Sequence, residues 1–194
     1  MVSAAILAGG RAARLGGCDK SALVIDGQSI LERQLVELSQ ISDDLMLVGS
    51  RRPDERHEGV RLVTDRIPDQ GPLGGLDAAL AAARHPALLL LACDMPFVAA
   101  PFLRRLISLA TEADVVVPRT KAGYHPLCAV YTAACREAVA RRLAARRLAM
   151  MGLFDELRVR LVEPHEIAPF GDGDRLLANV NTPAVLEALQ GHRP

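Results

Sequence analysis

Short apolar runs recur along the whole chain, and helix-like stretches separate them. The most apolar run, ALLLLAC from Ala87 to Cys93, stops at Asp94. A Leu-rich run of this length without polar alternation suits a strand buried on both faces. Val2–Leu7, Leu23–Ile25, Leu45–Val48, Val60–Thr64, Ala113–Val117, Leu127–Tyr131 and Arg158–Val162 also read as strands. Ser29 can cap a helix with apolar positions Ile30, Leu31, Leu35 and Leu38. Further helices are predicted over Leu76–Arg84, entered from the loop Gly71-Pro72-Leu73-Gly74-Gly75, then over Pro101–Ala110 and Ala133–Arg147. Thr182-Pro183 signals a last helix that ends near Gly191. Residues 167–174, with Pro169, Gly171 and Gly173, read as the loosest stretch. This alternation predicts an α/β fold, a three-layer αβα sandwich on a mostly parallel, mixed central sheet. No repeat or linker interrupts it, so residues 1–194 are expected to form one domain.

Composition removes several function classes. Aromatic residues are 3% of the chain and Trp is absent, which argues against a base-stacking surface for nucleic acid. Lys plus Arg and Asp plus Glu both number 23, so any anion site must be local. Cys18, Cys93, Cys128 and Cys135 form no C-x-x-C pair, which argues against a zinc site or a disulfide framework. The apolar stretch Val2–Ala8 is too short for a secretory leader, and no run reaches membrane-spanning length. A soluble protein of a reducing cytoplasm is expected, with neither nucleic acid nor membrane as partner.

In open α/β sheets, ligands bind beyond the carboxyl ends of the strands. The residues placed there are Ala8, Gly9 and Gly10, then Gly49-Ser50, Asp65 and Asp94. The stretch LAGGRAARLGGCDKS (Leu7–Ser21) carries four glycines and three cations. It matches neither the Walker A spacing nor the G-x-G-x-x-G fingerprint. A glycine pair after a strand still lets backbone N–H groups approach an anion, with Arg14 and Lys20 adding charge. A surface turn with incidental cations would use the same residues.

Asp94 reads either as a cap or loop brace or as a Mg²⁺ ligand, since Mg²⁺ uses one or two carboxylates together with phosphate oxygens. Asp65 carries the same two readings, with hydrogen bonding favoured because Arg66 stands beside it. His125 in YHPL is structural or faces a substrate. His57, His85, His165 and His192 read as solvated. Arg136, Arg141, Arg142, Arg146 and Arg147 read as a solvated helix face, with an anionic second partner as the other reading. Cys93 reads as a buried apolar residue.

Taken together, LAGGRAARLGGCDK, GPLGG (Gly71–Gly75), CDMPF (Cys93–Phe97), HPL (His125–Leu127) and NVNTP (Asn179–Pro183) resemble, in order, the molybdenum cofactor guanylyltransferases. That family has the Rossmann-like nucleotide-diphospho-sugar transferase fold. The resemblance implies GTP and molybdopterin, with or without molybdenum, as substrates and Mg²⁺ as cofactor. It implies transfer of GMP to the terminal pterin phosphate with release of pyrophosphate. Leu7, Ala8, Gly9, Gly10 and Gly49 would line the nucleotide, with Asp65 by the guanosine. Arg14, Lys20 and Asp94 would be the catalytic residues, with Lys20 on the phosphates and Asp94 on nucleotide and Mg²⁺. His125, Asn179 and Asn181 would face the second substrate. Other molybdenum-cofactor biosynthesis proteins and molybdoenzyme chaperones are the implied protein partners.

The chain departs from the pattern at Ala13, where many relatives have Ser or Thr, and at Gly49, where several have Asn. Residues 146–153 match the second-substrate region poorly. A cytidylyltransferase, a sugar-1-phosphate nucleotidylyltransferase and a non-catalytic nucleotide-binding protein are the alternatives on the same residues.

Overall fold

The computed structural model describes residues 1–8, 14–15, 18–19, 24–25, 27–49 and 57–180, with the backbone alone for 14–15 and 18–19. Strand β1 (Ser3–Leu7) leads towards helix α1 (Ile30–Ser39), and β2 (Asp44–Val48) and β3 (Val60–Val63) follow. Next come α2 (Gly71–Ala82), β4 (Ala87–Ala92), α3 (Ala100–Ser108) and β5 (Val115–Thr120). A hairpin links β5 to β6 (Gly123–Tyr124), ahead of β7 (Cys128–Thr132), α4 (Cys135–Ala144) and β8 (Val159–Val162). Short helices α5 (Pro164–Ile167) and α6 (Gly173–Leu176) come last.

The sheet order is β6-β5-β7-β4-β1-β2-β3, with β8 also paired to β5. Strands β3, β2, β1 and β4 are mutually parallel, and β7 runs antiparallel between β4 and β5. Strand β5 shares one side between two neighbours. Strand β8 pairs with Val115–Pro118 and β6 with Arg119–Thr120.

Alternate residues of the strands feed two cores, as the period of two requires. Ala4, Ile6, Leu89, Leu91 and Val116 pack with α1 and α3 on one face. Ala5, Leu88, Leu90, Val115 and Val117 pack with α2 and α4 on the other. The expected three-layer mixed sheet is therefore present.

Local chemistry explains the helix limits. Ser29 and Glu32 form a reciprocal capping box at the start of α1. Helix α3 has no side-chain cap of its own, and the Glu37 carboxylate from α1 accepts the Ala100 N–H at 2.6 Å instead. Helix α4 ends before the predicted Arg147 because Arg146 turns left-handed at φ 53°. The Arg146 and Arg147 N–H groups then close back on the Leu143 and Arg142 carbonyls, a Schellman stop.

Two predictions are corrected here. GPLGG is not a loop entering a helix but the first turns of α2, with Pro72 in the opening turn. A Cβ on Gly75 would lie 2.8 Å from Leu7 Cδ2, so this glycine lets the helix approach β1 closely. Residues 167–174 are not a loose stretch but a 3₁₀ turn (Ala168–Phe170) running into α6, which Asp172 caps by accepting the Asp174 N–H. The last helix predicted from Thr182-Pro183 lies outside the described residues. Among the described residues no helix is long and apolar enough to cross a membrane.

Candidate functional site

Four strands end in register along one edge of the sheet. Leu7 pairs with both Val48 and Ala92, and Val48 pairs with Val63. The residues just beyond, Ala8, Gly49, Asp65 and Asp94, therefore share the carboxyl edge, as the strand-end reading predicts. Backbone bonds tie this row together: Ala8 N–H donates to the Val48 carbonyl, Gly49 N–H to Val63 and Cys93 N–H to Leu7. Gly49 takes φ 79°, a left-handed conformation that glycine adopts freely and asparagine also tolerates.

Asp94 is the most constrained member. Asn179 Nδ2 donates to its Oδ1 at 2.7 Å, and Val180 N–H donates to its main-chain carbonyl at 2.7 Å. The side chain of Val180 packs with Ile25, Ile30 and Phe97, which fastens the 179–180 segment beside the turn. Asn179 thus joins Asp94 across 85 residues of chain. Its amide reaches the carboxylate and orients it, a contact that the second-substrate reading of Asn179 did not include.

Beneath the turn lies a residue the sequence reading passed over. Gln34 of α1 is 1% exposed, and its Nε2 donates to the Ala92 and Met95 carbonyls at 2.8 and 3.0 Å. The available signal was a polar residue inside the apolar stripe 30-31-34-35-38 of that helix.

His125 lies on the same edge, because the neighbouring Leu127 carbonyl accepts the Ala92 N–H. Its Nε2 contacts Thr120 Oγ1 at 3.0 Å, so the imidazole braces the β5–β6 hairpin. Burial lowers its pKa, with the Asp174 carboxylate opposing, which favours the uncharged ring. A cleft of about 230 Å³ beside it is lined by Thr120, Lys121, Pro164 and Asp174. That is smaller than the roughly 300–1,000 Å³ of ordinary small-molecule sites.

Asp65 is exposed, and the Arg66 expected to neutralise it pairs instead with Asp77 at 3.3 Å. Gly9, Gly10, Lys20 and Asn181 lie outside the described residues, and so do Ala13, Ser50 and His192. Of Arg14, the backbone pairs with Asp19.

Arg136, Arg141, Arg146 and Arg147 are exposed, as the solvated-face reading predicts, whereas Arg142 is drawn in, its side chain 11% exposed. Arg136 donates to the Leu80 carbonyl of α2, Arg142 to the Gly152 carbonyl and to Glu156, and Arg141 to Glu137 and Glu156. His85 is not solvated, for it contacts Asp43 at 2.7 Å. Cys93 is buried, as expected.

Among the described residues no group of three or more His, Cys, Asp or Glu is arranged to hold a metal ion. Mg²⁺ does not require such a cage when a substrate supplies phosphate oxygens. Asp94 fits that mode of binding. Its Oδ1 is pinned by Asn179, and its Oδ2 takes no hydrogen bond from any described residue.

Residues 4–159 match the model of the MobA-like NTP transferase domain. The chain belongs to this family. Its relatives include the molybdenum cofactor guanylyltransferase of Desulfosudis oleivorans, 32% identical over 190 residues, covering 97% of this chain and 94% of that one. The molybdenum cofactor guanylyltransferase of Pseudomonas fluorescens is 34% identical over 194 residues, with 97% and 94% covered. Among solved structures, molybdopterin-guanine dinucleotide biosynthesis protein A from Archaeoglobus fulgidus superimposes with a TM-score of 0.82 at 23% identity, covering 98% of this chain and 97% of that one. The MobA-like fold extends to a 4-diphosphocytidyl-2C-methyl-D-erythritol synthase from Anaerococcus prevotii, with a TM-score of 0.70 at 14% identity, covering 98% of this chain and 95% of that one.

Proposed function

We propose that the protein is a molybdenum cofactor guanylyltransferase, transferring GMP from GTP to the terminal phosphate of molybdopterin or its molybdenum form and releasing pyrophosphate. The observation that carries this reading is the Asn179–Asp94 contact at the carboxyl edge, beside the end of β1. It brings the CDMPF and NVNTP segments together in a chain of the MobA-like NTP transferase family. The reading takes residues 1–194 as one nucleotidyltransferase domain, supported by a sheet whose strands run from Ser3 to Val162 and by the return of Asn179 to Asp94. The proposed setting is cytoplasmic, with other cofactor-biosynthesis proteins and molybdoenzyme chaperones as partners.

The chemistry asks for charge management more than for a base. A phosphate monoester has a second pKa of about 6 and is already largely dianionic at pH 7. His125, bound to Thr120, is therefore not needed to remove a proton. Leu7, Ala8, Gly9, Gly10 and Gly49 line the nucleotide in this proposal, with Asp65 by the guanosine. Arg14 and Lys20 would supply positive charge to the triphosphate. Asn179 orients Asp94, and Asn181 and His125 would serve the pterin side. Asp94 would hold Mg²⁺, which when bound neutralises phosphate charge and orients the reacting phosphates.

Incubation with GTP, Mg²⁺ and molybdopterin, read by pyrophosphate release and dinucleotide formation, tests the proposal. GTP is expected to outcompete CTP and ATP. Equal use of CTP would move the protein to cytidylyl transfer, and nucleotide binding without pyrophosphate would make it a non-catalytic binder. Lys20→Ala and Asp94→Ala are each expected to lose about 10²–10³ in transfer rate while remaining folded, the usual cost of removing one preorganised contact to developing charge.

A further inference from the structure

We infer that Gln34 is a positioning residue for Asp94, setting the shape of the turn that presents this carboxylate at the carboxyl edge; the inference rests on the function proposed above. The side-chain amide of Gln34 gives its two N–H groups to the carbonyls of Ala92 and Met95, on either side of Cys93 and Asp94. It therefore clasps both ends of the turn, while Asn179 and Val180 hold its outer side. Ala92 is the last residue of β4 and Met95 lies beyond it, so the amide bridges the strand end and the turn that follows.

The acceptor half of the same amide is treated differently. Gln34 Oε1 is buried and receives no hydrogen bond from any described residue. A buried, unpartnered oxygen is a cost that Leu or Met at this position would avoid. The donor half is what the site uses.

Helix α1 is a firm base for this task. Its start is fixed by the Ser29–Glu32 capping box, and Leu31 and Leu38 are in the core. One turn beyond Gln34, Glu37 binds the Ala100 N–H. The helix thus holds the segment from Ala92 to Ala100 at three residues, Ala92, Met95 and Ala100, and the Asp94 turn lies between the first two.

The test is Gln34→Met, which keeps an unbranched side chain of similar length and removes both donors. In GTP- and Mg²⁺-dependent transfer, kcat is expected to fall about 10- to 100-fold, the usual range for partners that orient a metal ligand. The Mg²⁺ concentration for half-activation should rise. KM for GTP should stay near the wild-type value, because the nucleotide-lining residues lie on other strands. Leu38→Val, matched for its loss of stability to urea, is the structural control and should leave kcat unchanged.

A second readout needs no turnover. Amide hydrogen exchange at Val180 and Cys93, whose N–H groups bond to Asp94 and Leu7, should accelerate in Gln34→Met relative to Leu38→Val. Wild-type kcat and Mg²⁺ dependence in Gln34→Met would overturn the inference, as would an equal kcat loss in Leu38→Val. If the wild-type protein makes no dinucleotide, the proposed function fails. The exchange comparison then judges Gln34 by itself, and unchanged exchange overturns the clasp.

Discussion

Asp44→Ala should destabilise the fold without disturbing the carboxyl edge. Asp44 opens β2 and is 2% exposed. Its Oδ2 accepts from the Ser3 hydroxyl at 2.6 Å and from the Arg84 N–H at 3.0 Å. Its Oδ1 accepts from Arg61 Nε at 2.9 Å and Nη2 at 2.6 Å. Removing one member of a buried ion pair costs about 3–5 kcal/mol, because the other is left uncompensated. Here Arg61 is 33% exposed and keeps the Ala82 carbonyl, so water and that oxygen recover part of the loss. The Arg84 N–H likewise keeps Ser3 Oγ at 3.1 Å. The expected cost is therefore about 2–4 kcal/mol.

Urea unfolding at pH 7 should show it as a lower midpoint with an unchanged slope. Ser3 and Leu7 are four residue steps apart along β1, about 13 Å at roughly 3.3 Å per residue, so kcat of the folded variant should match the wild type.

The pH dependence has a definite sign. Burial pushes the Asp44 carboxyl up, but Ser3, the Arg84 N–H and Arg61 together pull harder, and its pKa is lowered below 3.8. The contribution is fully present above the unfolded pKa and is lost as pH falls through the lower folded value. The gap between wild type and variant should therefore close below about pH 4. A cost within about 0.5 kcal/mol at pH 7, the ordinary scatter of surface changes, would refute the reasoning. So would a gap that persists undiminished at the lowest pH where both chains fold.

Gly75→Ala places a methyl 2.8 Å from Leu7 Cδ2 and should displace that side chain, raising KM for GTP several-fold with smaller change in kcat, as steady-state kinetics would show. Glu37→Ala removes the only side-chain acceptor that the described residues offer to the start of α3 and should cost about 1 kcal/mol in urea unfolding, whereas Glu37→Gln should recover part of it.

Much of the architecture was legible because the strands end where an apolar run meets glycine or aspartate. Leu7, Val48, Val63 and Ala92 all obey this, and their register places Ala8, Gly49, Asp65 and Asp94 together. Ser29 announced α1 through local chemistry alone.

What escaped depends on contacts distant in sequence. The guanidinium of the exposed Arg136 reaches the Leu80 carbonyl, 56 residues earlier, and the run of arginines gives no sign of it. Ser3 meets Asp44 across 41 residues, and no local pattern announces it. The glycines of GPLGG resemble a loop because the reason for Gly75, the side chain of Leu7, belongs to another element. Residues 167–174 look loose by composition, yet one aspartate cap and two short turns order them.

The contact between Asn179 and Asp94 also has a temporal side. A ribosome adds about 5–20 residues per second, so the 85 residues between them take about 4–17 s to emerge. During that interval β1 to β4 are already made, while the amide that fixes the Asp94 carboxylate has not been synthesised. A nascent chain can therefore pair β1 with β2 and β4 well before the Asp94 carboxylate is held.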